Sequence, residues 1–279
     1  MSTPPDLRRA ALTRWIIYTL VAAAVVVPFV LHLRMKKLGV SRYTEQLYKA
    51  VEALPPGKTV LLSMDYDPAS MAELHPMATA ILRQCFRRGL KPIVMTFWPS
   101  NLGLCKDVLE ETSKEYDKKS GRDYVFLGFR AGGANLILNM GENLQRAFEK
   151  DYDGQETAGM PALEGVRSLK DVPMAIDLAA GNTIEMWIAY GRDRFKFTLG
   201  AGCTGVMAPD QYPFLQSGQL VGLLGGLRGA AEYEKLLGQP GTGMSGMFAQ
   251  SVTHVLIIVL IIGANAAILV RRFGRRKEG

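Results

Sequence analysis

Residues 59–68 read Thr59-Val60-Leu61-Leu62-Ser63-Met64-Asp65-Tyr66-Asp67-Pro68, and this stretch decides the fold class. Its first six residues are apolar almost throughout, without the polar alternation of a half-exposed strand. The chain then turns polar at once. A short strand that is apolar on both faces must be covered on both faces, as parallel strands under crossover helices are. Pro55-Pro56-Gly57 before it and Pro68 after it mark its limits.

The same unit recurs on either side. A helix is predicted at 43–54 and an apolar-periodic one from Ser70 to Arg88, closed by Gly89. Lys91–Phe97 reads as the second strand, followed by a helix near Leu104–Lys118. Tyr124–Phe129 is the third, leading into a helix near Ala134–Lys150, and 151–171 reads as an acidic, Gly-containing loop or insertion. Met174–Leu178, a helix near Thr183–Tyr190, Phe195–Leu199 and a long helix near Phe214–Leu237 complete the series. Strands alternating with helices predict an α/β domain with right-handed crossovers. The expected class is a Rossmann-like, doubly wound, mostly parallel sheet of about five strands, flanked by N- and C-terminal transmembrane helices.

Those flanking segments are Trp15–Leu33 (WIIYTLVAAAVVVPFVLHL) and about 248–270, whose core is VLIIVLIIGANAAILV. The first has no acid, Lys or Arg. At 1.5 Å per residue it covers roughly 28 Å, close to the ~30 Å hydrocarbon core. A cleaved signal peptide is its rival, but the run is long, and His32, Arg34, Lys36 and Lys37 follow it in place of a small-residue cleavage site. The second stops at Arg271-Arg272 and has no basic residue between Lys235 and the span. The positive-inside rule then places the C-terminus in the cytoplasm, and two spans place the N-terminus there too.

The expected organisation is a cytoplasmic tail over 1–14, a span over 15–33 and an extracytoplasmic α/β domain over 38–239. A Gly-rich tether over 240–247, a span over 248–270 and a basic cytoplasmic tail over 271–279 follow. Gly263 and Ala267, one turn apart beside the polar Asn265, present a small-residue face suited to helix packing in the membrane.

Charge supports this division. The chain has 33 Lys+Arg against 26 Asp+Glu, a net of +7. Residues 1–37 and 271–279 hold 11 of the basic side chains and two of the acids, so 38–270 carries a net of −2. The basic balance therefore belongs to membrane flanks, and no nucleic-acid partner is expected.

In open α/β sheets ligands lie beyond the carboxyl ends of the strands. Those ends gather Asp65, Asp67, Asp177 and Cys203 as candidate catalytic groups. Arg130, Gly132, Gly133, Asn182, Thr183, Gly200, Gly202 and Thr204 form a candidate ligand-binding rim. Asp65 and Asp67 flank Tyr66 and point the same way if the strand continues, which suits acid–base work or a hard cation. Solvated turn acids have the same spacing. Gly200, Gly202 and Gly205 match G-x-G-x-x-G, yet Pro209 and Pro213 intervene before the next helix and no acidic strand tip follows, so a dinucleotide is not expected. His75 is the one histidine of the domain, too few for a histidine-rich zinc site, and no G-x-S-x-G elbow exists. Cys85, Cys105 and Cys203 form no C-x-x-C pair, and one disulfide beside one free thiol is possible outside the cell. No metal and no cofactor is expected.

The sequence leads to a membrane-anchored α/β module acting as a non-enzymatic scaffold or accessory subunit, with the lipid bilayer, further copies or other membrane proteins as partners. A membrane-tethered hydrolase or transferase with its site at the rim, and a solute-binding sensor, are the alternatives.

Overall fold

The computed structural model describes residues 5–31, 33–34 and 38–275, with side chains over 11–31, 33–34 and 38–269. His32, Lys36, Lys37 and 276–279, and with them part of the flanking charge, lie outside the described residues. The chain divides into two units, 37–244 and the terminal segments 1–36 with 245–279.

Within 37–244 the apolar runs become six parallel strands among the described residues. These are β1 (Thr59–Asp65), β2 (Lys91–Thr96), β3 (Val125–Phe129), β4 (Met174–Ala179), β5 (Thr198–Cys203) and β6 (Leu223–Gly225). Their order is β3-β2-β1-β4-β5-β6, so the winding reverses between β1 and β4. Before β1 lies α2 (Arg42–Glu52); α1 (Pro5–Val30) is in the terminal unit. Then come α3 (Met71–Arg87), α4 (Leu102–Glu115), α5 (Ala134–Glu142) and the short α6 (Leu144–Ala147). After β4 run α7 (Thr183–Met186), a π-helical turn (Trp187–Arg192) and α8 (Asp193–Phe195). Two more helices, α9 (Ala208–Gln216) and α10 (Gly226–Leu237), bracket β6.

Side-chain alternation along the strands feeds two cores. Val60, Leu62, Val94, Ile176 and Leu178 pack with Leu74, Ile81 and Val108 of α3 and α4 and Tyr233 of α10. The opposite face, Leu61, Ile93, Val125, Ala175 and Leu199, meets Ile137 of α5, Trp187 and Phe195. Burial on both faces is what the unalternating strands required.

Several expectations change. The sheet has six strands where about five were expected, the fifth runs over Thr198–Cys203 and not Phe195–Leu199, and the helix expected near Ala134–Lys150 is broken at Asn143. The long helix predicted over 214–237 is α9, β6 and α10 in succession. A Cβ on Gly222 would lie 2.5 Å from both the Tyr43 carbonyl oxygen and the Leu47 nitrogen, so this run packs against the α2 backbone and cannot coil. The helix expected near 183–190 is one α turn passing into π geometry. The expected tether, 240–247, is helical from Thr242, where α11 (Thr242–Arg275) begins.

Both ends of the domain are tied to neighbouring residues of α10. Lys235 Nζ donates to the Leu38 carbonyl. The buried Glu234 carboxylate accepts the amides of Gly241, Gly243 and Met244 at 2.8–2.9 Å and so caps α11. Burial pushes the Glu234 carboxyl pKa up, and these three amides hold part of it back.

In the terminal unit, α1 (Pro5–Val30) and α11 contain Ala11–Val30 and Thr242–Leu269, long and apolar enough to cross a membrane by length and composition. The most apolar 18-residue window of each is almost wholly exposed. Pro28 lies in the last turn of α1.

Candidate functional site

The strand register assembles the acidic candidates. Ser63 of β1 pairs with Asp177 of β4, which pairs with Ala201 of β5. In the next row on the same face Asp65 pairs with Ala179, and Ala179 with Cys203. Asp65 and Asp177 are thus diagonal neighbours across the β1–β4 boundary, the place where doubly wound sheets open a crevice. Both are fully buried.

Asp65 is saturated. Ser63 Oγ donates to its Oδ2 at 2.5 Å, and the Phe97 amide and Thr96 Oγ1 donate to Oδ1 at 2.5 and 3.2 Å. Its carbonyl accepts the Ala180 amide at 2.9 Å. The residue therefore ties the ends of β1 and β2 together and fastens the chain leaving β4. Asp177 is the opposite case: no backbone amide or cationic side chain donates to either carboxylate oxygen. Asp65 and Thr183 stand beside it, and a proton shared between the two acids joins them. Burial first, and the Asp65 charge second, hold the Asp177 carboxyl well above the carboxylate range. Burial also raises Asp65, against the pull of its donors. Two carboxyls this close cannot both ionise readily, so the pair titrates as one linked system that holds a proton above the ordinary carboxylate range.

Thr183 and Glu185 act on Asp177, and further buried atoms without a partner are Glu185 Oε2, Trp187 Nε1 and Gln211 Oε1 on α7, the π turn and α9. Gln211 Nε2 donates to Glu185 Oε1 at 2.7 Å, joining α9 to α7. Trp187 opens the π turn and packs on Phe97 with ring centroids 5.9 Å apart. Single π turns recur where an inserted residue re-aims side chains.

The other candidates do not join this group. Asp67 turns outward, its Oδ1 accepting from the Ala69 and Ser70 amides and Ser70 Oγ, so Asp65 and Asp67 do not act as a pair. The Ser70 bonds lower its carboxyl pKa. Cys203 is buried at the end of β5, its thiol pushed up to about 12 by burial and by Glu185 and Asp177, conditions that suppress a nucleophile. All three cysteines are free and buried. His75 Nδ1 lies 3.1 Å from the Tyr66 hydroxyl, and burial lowers its pKa.

Gly200 and Gly202 are strand residues, not part of a rim loop. A Cβ on Gly200 would lie 2.3 Å from Leu47 Cδ1, and one on Gly202 would lie 2.6 Å from Leu178 Cδ2 and 2.8 Å from Met77 Sδ. The G-x-G spacing serves helix–sheet packing here. Thr204 follows the strand, and its carbonyl accepts the Met207 and Ala208 amides. Asn182 is exposed at the start of α7, with Thr183 buried behind it. Gly132 and Gly133 take φ of 144° and 50° to turn into α5, which a β-carbon would strain. Arg130 and Gly132 line a separate cleft of about 580 Å³ with Asn135, Asn139, Glu142 and Arg146.

Nothing lies within 4 Å of a Cβ placed on Gly263, and Asn265 Nδ2 donates to the Ile261 carbonyl of its own helix at 2.8 Å. Ala267 is exposed on the same helix. Among the described residues no group of three His, Cys, Asp or Glu side chains could hold a metal ion. Thr96, Glu185, Trp187 and Gln211 are site residues absent from the sequence-based set. The detectable signal was a polar residue on an apolar helix face, as in Thr-Ile-Glu-Met-Trp and Pro-Asp-Gln-Tyr-Pro. No protein-family model, curated protein or solved structure matches the chain.

Proposed function

We propose that the chain is a membrane-anchored α/β module, acting as a non-enzymatic scaffold or accessory subunit of an oligomeric membrane complex. The two long apolar helices serve as its anchors, the termini face the cytoplasm and the domain lies outside. The strand order supports a Rossmann-like description of that domain. The observation that carries the reading is the fate of the chemically capable groups: Asp65, Asp177 and Cys203 are fully buried, and Asp65 is committed to holding strand ends. Largely exposed apolar helix surface supports work done by contact in the bilayer.

The mass of the full chain in detergent at micromolar concentration tests this. A particle of more than one copy, or one that co-purifies with a fixed membrane partner, is expected. A strictly monomeric particle overturns the assembly reading. A second reading, a solute-binding sensor, draws on the buried polar atoms without partners on α7, the π turn and α9. An enzyme at the rim, hydrolase or transferase, would require Asp65 or Asp177 to reach solvent.

A further inference from the structure

We propose that the cleft of about 580 Å³ at the carboxyl end of β3 binds a small hydroxylated oxyanion, a molecule that carries a phosphate or carboxylate group beside its hydroxyls. The volume suits a small molecule, since ligand clefts run from about 300 to 1,000 Å³. The place suits one too, because ligands of open α/β sheets lie beyond the carboxyl ends of the strands. Its charged and amide lining is Arg130, Asn135, Asn139, Glu142 and Arg146.

The arginines define the charge of the occupant. Most arginines between 38 and 244 are committed to the protein. Arg83, Arg87, Arg88, Arg122, Arg192 and Arg228 pair with carboxylates. Arg42 and Arg194 lie over the Tyr43 and Phe195 rings. Among the described residues the side chains of Arg130, Arg146 and Arg167 make no ion pair, hydrogen bond or ring contact, and two of these three line one cleft. Glu142 shares that cleft and pairs with neither arginine. Two guanidinium groups outweigh one carboxylate there, within a segment, 38–270, that nets −2 overall. A guanidinium offers paired N–H donors in the fork that phosphate and carboxylate oxygens match.

The amides define the rest of the ligand. α5 sends Leu136, Ile137 and Met140 into the core and leaves Asn135, Asn139 and Glu142 exposed along the cleft. The helix breaks at Asn143, whose Oδ1 accepts the Arg146 amide at 2.8 Å and caps α6. That break carries Arg146 to the cleft that Arg130 enters from the end of β3. The Asn135 and Asn139 side chains make no hydrogen bond to the protein among the described residues, and each amide both donates and accepts. Hydroxyl groups do the same and so match them, whereas a bare inorganic anion leaves the accepting atoms unused. Glu142 adds one more acceptor for a hydroxyl and disfavours a polyanion such as a nucleic-acid backbone.

This inference stands apart from the assembly reading, since a scaffold and a sensor can each carry such a site, and the mass of the particle does not bear on it. The test is isothermal titration calorimetry of the full chain in detergent micelles at constant ionic strength. The probes are glycerol 3-phosphate, glycerate, glycerol, inorganic phosphate and chloride. Saturable binding of glycerol 3-phosphate or glycerate is expected, weaker binding of inorganic phosphate, and none of glycerol or chloride; the tighter of the first two names the oxyanion. All five lining residues are exposed, so their substitution leaves the core intact. Arg130→Ala and Arg146→Ala should each weaken binding about tenfold or more, the loss of a hydrogen bond from a charged group. Arg42→Ala removes the same charge from α2, which packs on the Gly222 run beside β6 at the opposite edge of the sheet, and should leave binding unchanged. The proposal is overturned if neither hydroxylated oxyanion binds saturably, or if glycerol or inorganic phosphate binds as tightly. It is equally overturned if the two cleft variants bind like the native chain, or if Arg42→Ala weakens binding as much as they do.

Discussion

Asp65 and Asp177 occupy adjacent strands, and the hydrogen bonds made to Asp65 come from uncharged groups, so the two acids titrate as one linked system. Both pKa values are raised on folding, Asp177 the more strongly. The folded state then binds more protons than the unfolded chain between the ordinary carboxylate value and the raised one, and stability falls as pH climbs through that window. The unfolding midpoint of the native chain should decline above about pH 5 relative to Asp177→Asn, which lacks the titrating group. Parallel midpoints for the two across the range would remove the linked proton. Asp65→Ala should be costlier than Asp65→Asn, because it orphans the Phe97 amide and the Ser63 hydroxyl at about 1–3 kcal/mol each, measurable by denaturant unfolding, while Thr96 Oγ1 keeps its bonds to Trp98. Part of this site was legible in the sequence: acids at strand ends are visible as letters. Depth was not, because β4 runs on to Ala179 and carries Asp177 inside, whereas Asp67 lies beyond the end of β1 and turns out. Glu185 and Gln211 meet only because successive crossovers bring α7 and α9 together.

At the scale of elements, apolar runs bounded by Pro, Gly or a sudden polar residue located four strands closely, whereas the fifth, expected at Phe195–Leu199, runs over Thr198–Cys203. The failure at β6 has a physical cause. Its three residues are too few to show a period, and the surrounding Leu and Gly mimic a helix face until the α2 backbone is placed against Gly222. Gly222→Ala should therefore destabilise more than Gly200→Ala. The first drives a methyl into fixed backbone, while the second meets the flexible end of Leu47, within a range of about 1–3 kcal/mol for overpacking. Equal unfolding midpoints for the two would contradict the packing account. The capped start of α11 was equally hidden, since Pro240-Gly241-Thr242-Gly243 resembles a linker until Glu234 is seen to accept its amides. Glu234→Ala should cost about 1–2 kcal/mol, as the loss of a helix cap does, and should speed hydrogen exchange at Gly243 and Met244. Unchanged exchange there would show that the cap is unnecessary.

For the whole molecule, charge segregation and two long apolar segments carry the proposed orientation. The buried native thiols leave an almost silent background for labelling from outside. Ser120→Cys, at an exposed position, should react with an impermeant maleimide in intact cells; labelling only after lysis would reverse the orientation. Leu38 and Met244 are held by adjacent residues of one helix, and this gives the domain an unusual independence. Its entry and exit lie side by side on α10, so the two ends of the domain are close in space. Joining the two ends through a short linker should yield a water-soluble, circularly permutable cassette, free of lipid, with the unfolding midpoint of the parent domain.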